Sequence, residues 1–171
     1  IENLANSFIL TKESSSLNNI TGVEICRIDE NANVLWQTNY QFDYFIPHET
    51  EIFITEDQHI LVLSFISKYL NSNYDGHSNQ IIITKFTKSG ELVWDFLIKH
   101  EDLNTNTPQS IIETKAGDYI CLLSRRILLK LNKDGQKIWS KELIKVTTYK
   151  HKRWTKVSDN NIWISGSNVA Q

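Results

Sequence analysis

The residues best placed to do chemistry lie in the segment NSNYDGHSN. Asn71, Asn73 and Asp75 follow one another at i, i+2 and i+4, and Gly76 comes next. Oxygen-bearing side chains at that spacing converge on a calcium ion when the loop curls round it, and glycine permits the sharp turn. The set holds one carboxylate, and the twelfth position is Ile82, where a calcium loop needs a bidentate glutamate. Calcium is therefore the one metal the sequence leaves open, and a solvated connection between two strands is the plainer reading.

A second cluster lies in KVTTYKHKRWTK. Lys150, Lys152, Arg153 and Trp154 form a basic patch with an indole, flanked by Lys145, Tyr149, His151 and Lys156, and Arg125–Arg126 would extend it. Cations interleaved with rings can hold a phosphate chain or stack on bases. A local run of charge is more often a wet face, here a connection between repeats. No catalytic arrangement emerges. His48, His59, His77, His100 and His151 show no metal-ligand spacing. There is no glycine-rich phosphate loop and no nucleophile elbow, so the expectation is no catalytic residue and no cofactor apart from the calcium option.

The elements that must position these residues are strands. The chain has 171 residues, 40% hydrophobic and 22% charged, enough for one sizeable core. Alanine is scarce, while isoleucine, threonine and aromatic residues are common, which suits a pleated, half-buried surface. Short apolar runs such as Ile60–Ile66, Ile81–Phe86, Tyr119–Leu123 and Ile127–Leu131 alternate with Asn, Asp, Gly and Ser clusters that favour turns. A net charge of -2 exerts no global pull toward nucleic acid or an anionic membrane. No apolar run approaches the roughly 20 residues of a membrane helix. Cys26 and Cys121 sit in apolar segments and read as buried thiols.

These strands repeat. ITKFTKSGELVWDFLI and LLKLNKDGQKIWSKEL each place a glycine (Gly90, Gly135) four residues before a tryptophan (Trp94, Trp139), and the two tryptophans are 45 residues apart. ICRIDENANVLWQTNY repeats the phrase around Trp36, with Ala32 at the glycine position. Ile28, Phe86 and Leu131 stand eight residues before their tryptophans. A second phrase precedes each hairpin and aligns Phe8, Ile60, Ile120 and Ile162. Polar, β-prone segments come before those: Glu51–Thr55, Ser110–Lys115 and Trp154–Ser158. One unit is thus four strands, a to d, with tryptophan on d. Four-stranded units at periods of about 40–50 residues imply propeller blades, with a β-sandwich as the rival.

The phrase apolar-x-x-x-Gly-x-x-x-Trp closing a four-strand unit resembles the repeat of pyrroloquinoline-quinone-like β-propellers. That superfamily holds quinoprotein dehydrogenases and also non-enzymatic scaffolds. The resemblance implies a structural role for Trp36, Trp94 and Trp139, packed between neighbouring blades. The sequence departs from the family pattern: Thr87 or Asn132 stands for its Asp, and no threonine precedes Gly90 or Gly135. The tryptophan girdle of the enzymes thus lacks its sequence signature here.

The expected fold is all-β, with four-stranded antiparallel blades of propeller type. Residues 1–46 form a partial blade that begins at strand b, 47–103 and 104–148 form complete blades, and 149–171 form a partial blade of strands a and b. Thirteen strands do not fill four blades, and the chain begins with isoleucine and has no methionine. It therefore reads as a processed chain or a segment of a larger propeller. The functional expectation is a non-enzymatic binding or scaffolding module whose partner is another protein or the remaining blades. A fragment of a quinoprotein-like enzyme and a surface glycan- or calcium-binding propeller are the alternatives.

Overall fold

The computed structural model of the chain describes residues 2–4, 7–15, 20–43, 46–69, 77–98, 108–123, 127–142, 149–158 and 161–168. Among the described residues there is no helix. The strands fall into antiparallel sheets in sequence order. The first holds β1 (Glu2–Leu4), β2 (Ser7–Ser15), β3 (Ile20–Asp29) and β4 (Val34–Asp43). The second holds β5 (Ile46–Ile54), β6 (Ile60–Tyr69), β7 (His77–Phe86) and β8 (Leu92–Ile98). The third holds β9 (Pro108–Glu113), β10 (Tyr119–Leu123), β11 (Ile127–Leu131) and β12 (Lys137–Glu142). A two-stranded sheet of β13 (Tyr149–Ser158) and β14 (Asn161–Asn168) follows. The fold is all-β and blade-like, and among the described residues no sheet closes into a barrel.

Two boundaries differ from the sequence reading. The first unit does not begin at strand b, because β1 pairs with β2 and sets Asn3 opposite Phe8. A three-residue strand is too short to show a periodic pattern. The basic run read as a connection is strand: Lys150, Lys152, Arg153 and Trp154 lie on β13, with Lys152 opposite Gly166, Arg153 opposite Ser165 and Trp154 opposite Ile164.

The hairpins share one turn. It spans residues 29–33, 55–59, 87–91, 114–118 and 132–136. In each, the first residue's N–H donates to the fifth residue's carbonyl, and the fourth residue's N–H donates back to the first carbonyl. The first residue is Asp29, Thr55, Thr87, Thr114 or Asn132. Its side-chain oxygen accepts a backbone N–H from within the turn. The fourth residue takes positive φ: 65° at Ala32 and Gln58, 86° at Gly90, 77° at Gly117 and 79° at Gly135. This is a three-residue loop built on a type I turn and a left-handed residue. It explains why the sequence writes a short polar acceptor three positions before glycine.

Just past each c–d turn the pairing skips one residue: Leu35 in β4, Val93 in β8 and Ile138 in β12. These are β-bulges, each one residue before the tryptophan.

The second sheet is buried on both faces. Ile60, Val62, Ile66, Ile82 and Phe86 meet Ile9, Val23 and Ile25 of the first sheet. Leu61, Leu63, Ile81, Ile83 and Ile98 meet Ile111, Tyr119, Cys121, Leu123, Leu129 and Leu131 of the third. Successive side chains point to opposite faces, so a strand covered on both sides reads as a continuous apolar run. That is why ILVL and III lack alternation. Cys121 is fully buried and Cys26 half-buried, and both are free thiols. Burial raises the pKa of each, with the Glu24 charge adding to the effect at Cys26.

Candidate functional site

The c–d turns bring the tryptophans to the joints between sheets. Trp36 leaves the first sheet and its Nε1–H donates to the Lys88 carbonyl in the c–d turn of the second, at 2.9 Å. Trp94 repeats this one sheet later, donating to the Lys133 carbonyl at 3.1 Å. Each indole lies over the glycine of the turn it reaches. A Cβ at Gly90 would meet the Trp36 ring at 2.7 Å, and one at Gly135 would meet the Trp94 ring at 2.6 Å. Glycine is required there twice over, by its positive φ and by the close ring. The seats form although no threonine precedes either glycine, because the contact uses only a backbone carbonyl and a missing side chain. Trp139 holds the same register position, opposite Lys130, and is half-buried. Its ring contact among the described residues is with Lys141, whose Nζ lies 5.4 Å from the ring centroid.

A feature the sequence reading missed accompanies each tryptophan. Nine residues earlier stands a cation: Arg27, Lys85 and Lys130 are paired directly across from Trp36, Trp94 and Trp139. The basic residue at that fixed offset was visible in the aligned repeats. Arg27 Nε donates to Ser7 Oγ at 2.8 Å, and its Nη1 reaches the Lys88 carbonyl at 3.4 Å. Lys130 pairs with Asp118 at 2.7 Å.

Lys85 is the buried member of the series, 7% exposed. Its Nζ donates to Tyr119 Oη at 2.8 Å and lies 3.9 Å from Asp57 Oδ2. Tyr119 also stacks at a tilt on Trp94, centroids 5.8 Å apart. Burial raises the Tyr119 pKa, and the charges of Glu113 and Asp57 push it further, so its hydroxyl stays neutral. Asp57 Oδ1 accepts from Thr55 Oγ1 and lies 2.9 Å from His59 Nδ1. Glu113 reaches back across the joint to accept the Glu56 N–H at 2.7 Å. The network ties the a–b turn of the second sheet to strands β9 and β10 of the third. The network is structural: it holds Lys85 against Tyr119 and Asp57 across the joint.

Burial raises the Asp57 pKa, but hydrogen bonds from Thr55 and His59 and the Lys85 charge outweigh it and hold the carboxyl at about 2. An unfolded aspartate titrates near ~3.9. The folded value is the lower one, so the stabilisation is complete above that pH and is lost as pH falls toward about 2. Asp57 is half exposed, so the effect is screened and modest. Melting temperatures recorded from pH 5 to pH 2 should fall more steeply for the wild type than for Asp57→Asn. Parallel slopes would remove Asp57 from the acid response.

The outer strands carry a different feature. Val34, Leu35, Leu92, Val93 and Ile138 are between 47% and 58% exposed. All lie at the start of a d strand, beside the bulge. The Trp36 and Trp94 seats link each d strand to the next c–d turn, so these residues recur at equivalent places in three successive sheets.

Next to the second seat, residues of β8, β11 and β12 line a cleft of about 260 Å³. Phe96, Ile98, Leu129 and Ser140 are among its lining residues.

Of the sequence candidates, Asn71, Asn73 and Asp75 lie outside the described residues. Lys150, Lys152, Arg153 and Trp154 share one strand, and their side chains lie outside the description. Among the described residues no three His, Cys, Asp or Glu side chains gather as a metal site, and no helix is long and apolar enough to cross a membrane. Set against known proteins, the chain matches no family model and no curated relative.

Proposed function

We propose that the chain is a non-enzymatic binding or scaffolding module built of propeller-type blades, related to the pyrroloquinoline-quinone-like repeats. Its partner is another protein or further blades of the same architecture. The observation that carries this reading is the recurrent exposed apolar set. Five large aliphatic side chains recur at equivalent repeat positions on three successive d strands. Exposed apolar side chains are ordinary when scattered singly and mark interaction surfaces when gathered. The bulges beside them serve the same end. A bulged edge resists indiscriminate strand pairing, so contact there proceeds through side chains.

A photo-cross-linking residue placed at Leu35 and, separately, at Val93 in cells that express the chain tests the proposal. Both positions should capture one and the same protein. The double variant Leu35→Asp, Val93→Asp should lower capture at least tenfold with the melting temperature unchanged. Scattered or absent adducts, or stoichiometric uptake of pyrroloquinoline quinone by the purified chain, would turn the reading toward an enzyme fragment.

A further inference from the structure

The two joints between four-stranded sheets are built on one plan and filled differently. In the first joint, Tyr40 stands four residues after Trp36 and drops between the sheets. Its hydroxyl donates to Asp95 Oδ2 at 2.5 Å, and its ring meets the Phe86 ring edge to face, centroids 6.1 Å apart. Asp95 is the residue directly after Trp94. In the second joint, the position four after Trp94 is Ile98, and the position directly after Trp139 is Ser140. Where the first joint has a phenol reaching a carboxylate, the second has a shorter aliphatic side chain facing a serine. The cleft of about 260 Å³ lies at that place, and both Ile98 and Ser140 line it.

We propose that this cleft binds a para-substituted phenol, its ring between Phe96, Ile98 and Leu129 and its hydroxyl hydrogen-bonded to Ser140. Tyr40 is the intramolecular pattern for the occupant: it fills the equivalent place in the first joint, four residues after the tryptophan, with its hydroxyl on the residue equivalent to Ser140. The size agrees. Pockets for drug-sized ligands run to about 300–1,000 Å³, so this one suits a single substituted ring. The lining agrees as well, with apolar walls for the ring face and one hydroxyl placed for orientation. Lys137, Lys141 and Glu142 also line the cleft. The Lys141 ammonium is turned to the Trp139 ring, so the charged residues left at the rim are Lys137 and Glu142.

The phenol has two sources, a free small molecule or a tyrosine carried on a polypeptide. Two probes separate them. 4-Ethylphenol reports the first, and the capped peptide Gly-Gly-Tyr-Gly-Gly reports the second. Binding is followed by chemical-shift changes at the methyl groups of Ile98, Ile127 and Leu129. At least one probe should saturate these shifts, and tighter binding of the peptide would assign the site to a polypeptide tyrosine. Ile98→Tyr restores the first joint's filling and should abolish saturation while leaving the chain folded. Ser140→Ala keeps the test alive if that variant fails to fold. It should weaken 4-ethylphenol about fivefold, the worth of one hydrogen bond, and leave ethylbenzene unchanged. No saturable shift from either probe at millimolar concentration would overturn the proposal. So would equal binding of 4-ethylphenol by Ile98→Tyr and wild type, or by Ser140→Ala and wild type.

Discussion

Gly135→Ala will lower the stability of the chain far more than the addition of one methyl group suggests. Two costs combine. An alanine held at positive φ is strained by about 1–2 kcal/mol. Gly135 sits at φ 79°, so that cost applies in full. The new methyl would also stand 2.6 Å from the Trp94 ring, closer than any real carbon contact. Relieving it displaces the indole or the turn, an overpacking cost of about 1–3 kcal/mol. The expected total is about 2–5 kcal/mol by urea unfolding. The same fold supplies the control. Gly117 has φ 77°, and nothing lies within 4 Å of the Cβ it would gain. Gly117→Ala should cost only the backbone strain, about 1–2 kcal/mol. Equal losses for the two variants would mean that the indole gives way freely and that the seat does not stabilise the joint.

Trp94→Ala is the second large effect. The indole bridges two sheets, covering Gly135, stacking on Tyr119 and donating to the Lys133 carbonyl. Truncating a tryptophan in such a place costs about 3–5 kcal/mol. Trp139→Ala removes the same side chain from a half-buried position, so its loss should be clearly smaller. The two substitutions at the seat should also fail to add. Once Trp94 is gone the methyl at 135 has nothing to strike, so Gly135→Ala in that background should fall to the Gly117→Ala value. An additive pair would show that the two residues do not interact across the joint.

Much of this architecture was legible in the residues. The polar acceptor, glycine and tryptophan of the 87–94 and 132–139 segments announced their turns, because the backbone demands a particular residue type at each place. Asn132 accepts turn N–H groups, and Gly135 supplies the left-handed corner. The runs ILVL and III marked strands, and the structure shows why they lack alternation. What escaped notice has physical reasons. β1 is three residues long and carries no pattern. Gln58 occupies a left-handed corner that glycine would advertise and this residue conceals, whereas the repeat already set Ala32 at the glycine position. The cations Arg27, Lys85 and Lys130 were present at a fixed offset, yet charge on a strand reads as solvent-facing until a partner sheet covers it. Lys85 became buried because Tyr119 arrives from a different sheet. The cleft was beyond reach for the same reason: its walls come from two sheets, and no single strand encodes that.

The seating of each sheet on the next has a consequence for how the chain comes apart. Within a sheet every strand pairs with its sequence neighbour, so each sheet assembles from local hairpins and closes only short loops. Between sheets the links join nearest neighbours, as in a stacked array. The second sheet is clamped by two joints and the first by one among the described residues. Peeling the first sheet away breaks the Trp36 seat and leaves the Trp94 seat whole, whereas opening the second breaks both. Among the described residues, the strands β6 and β7 are therefore the last place where a backbone amide meets water.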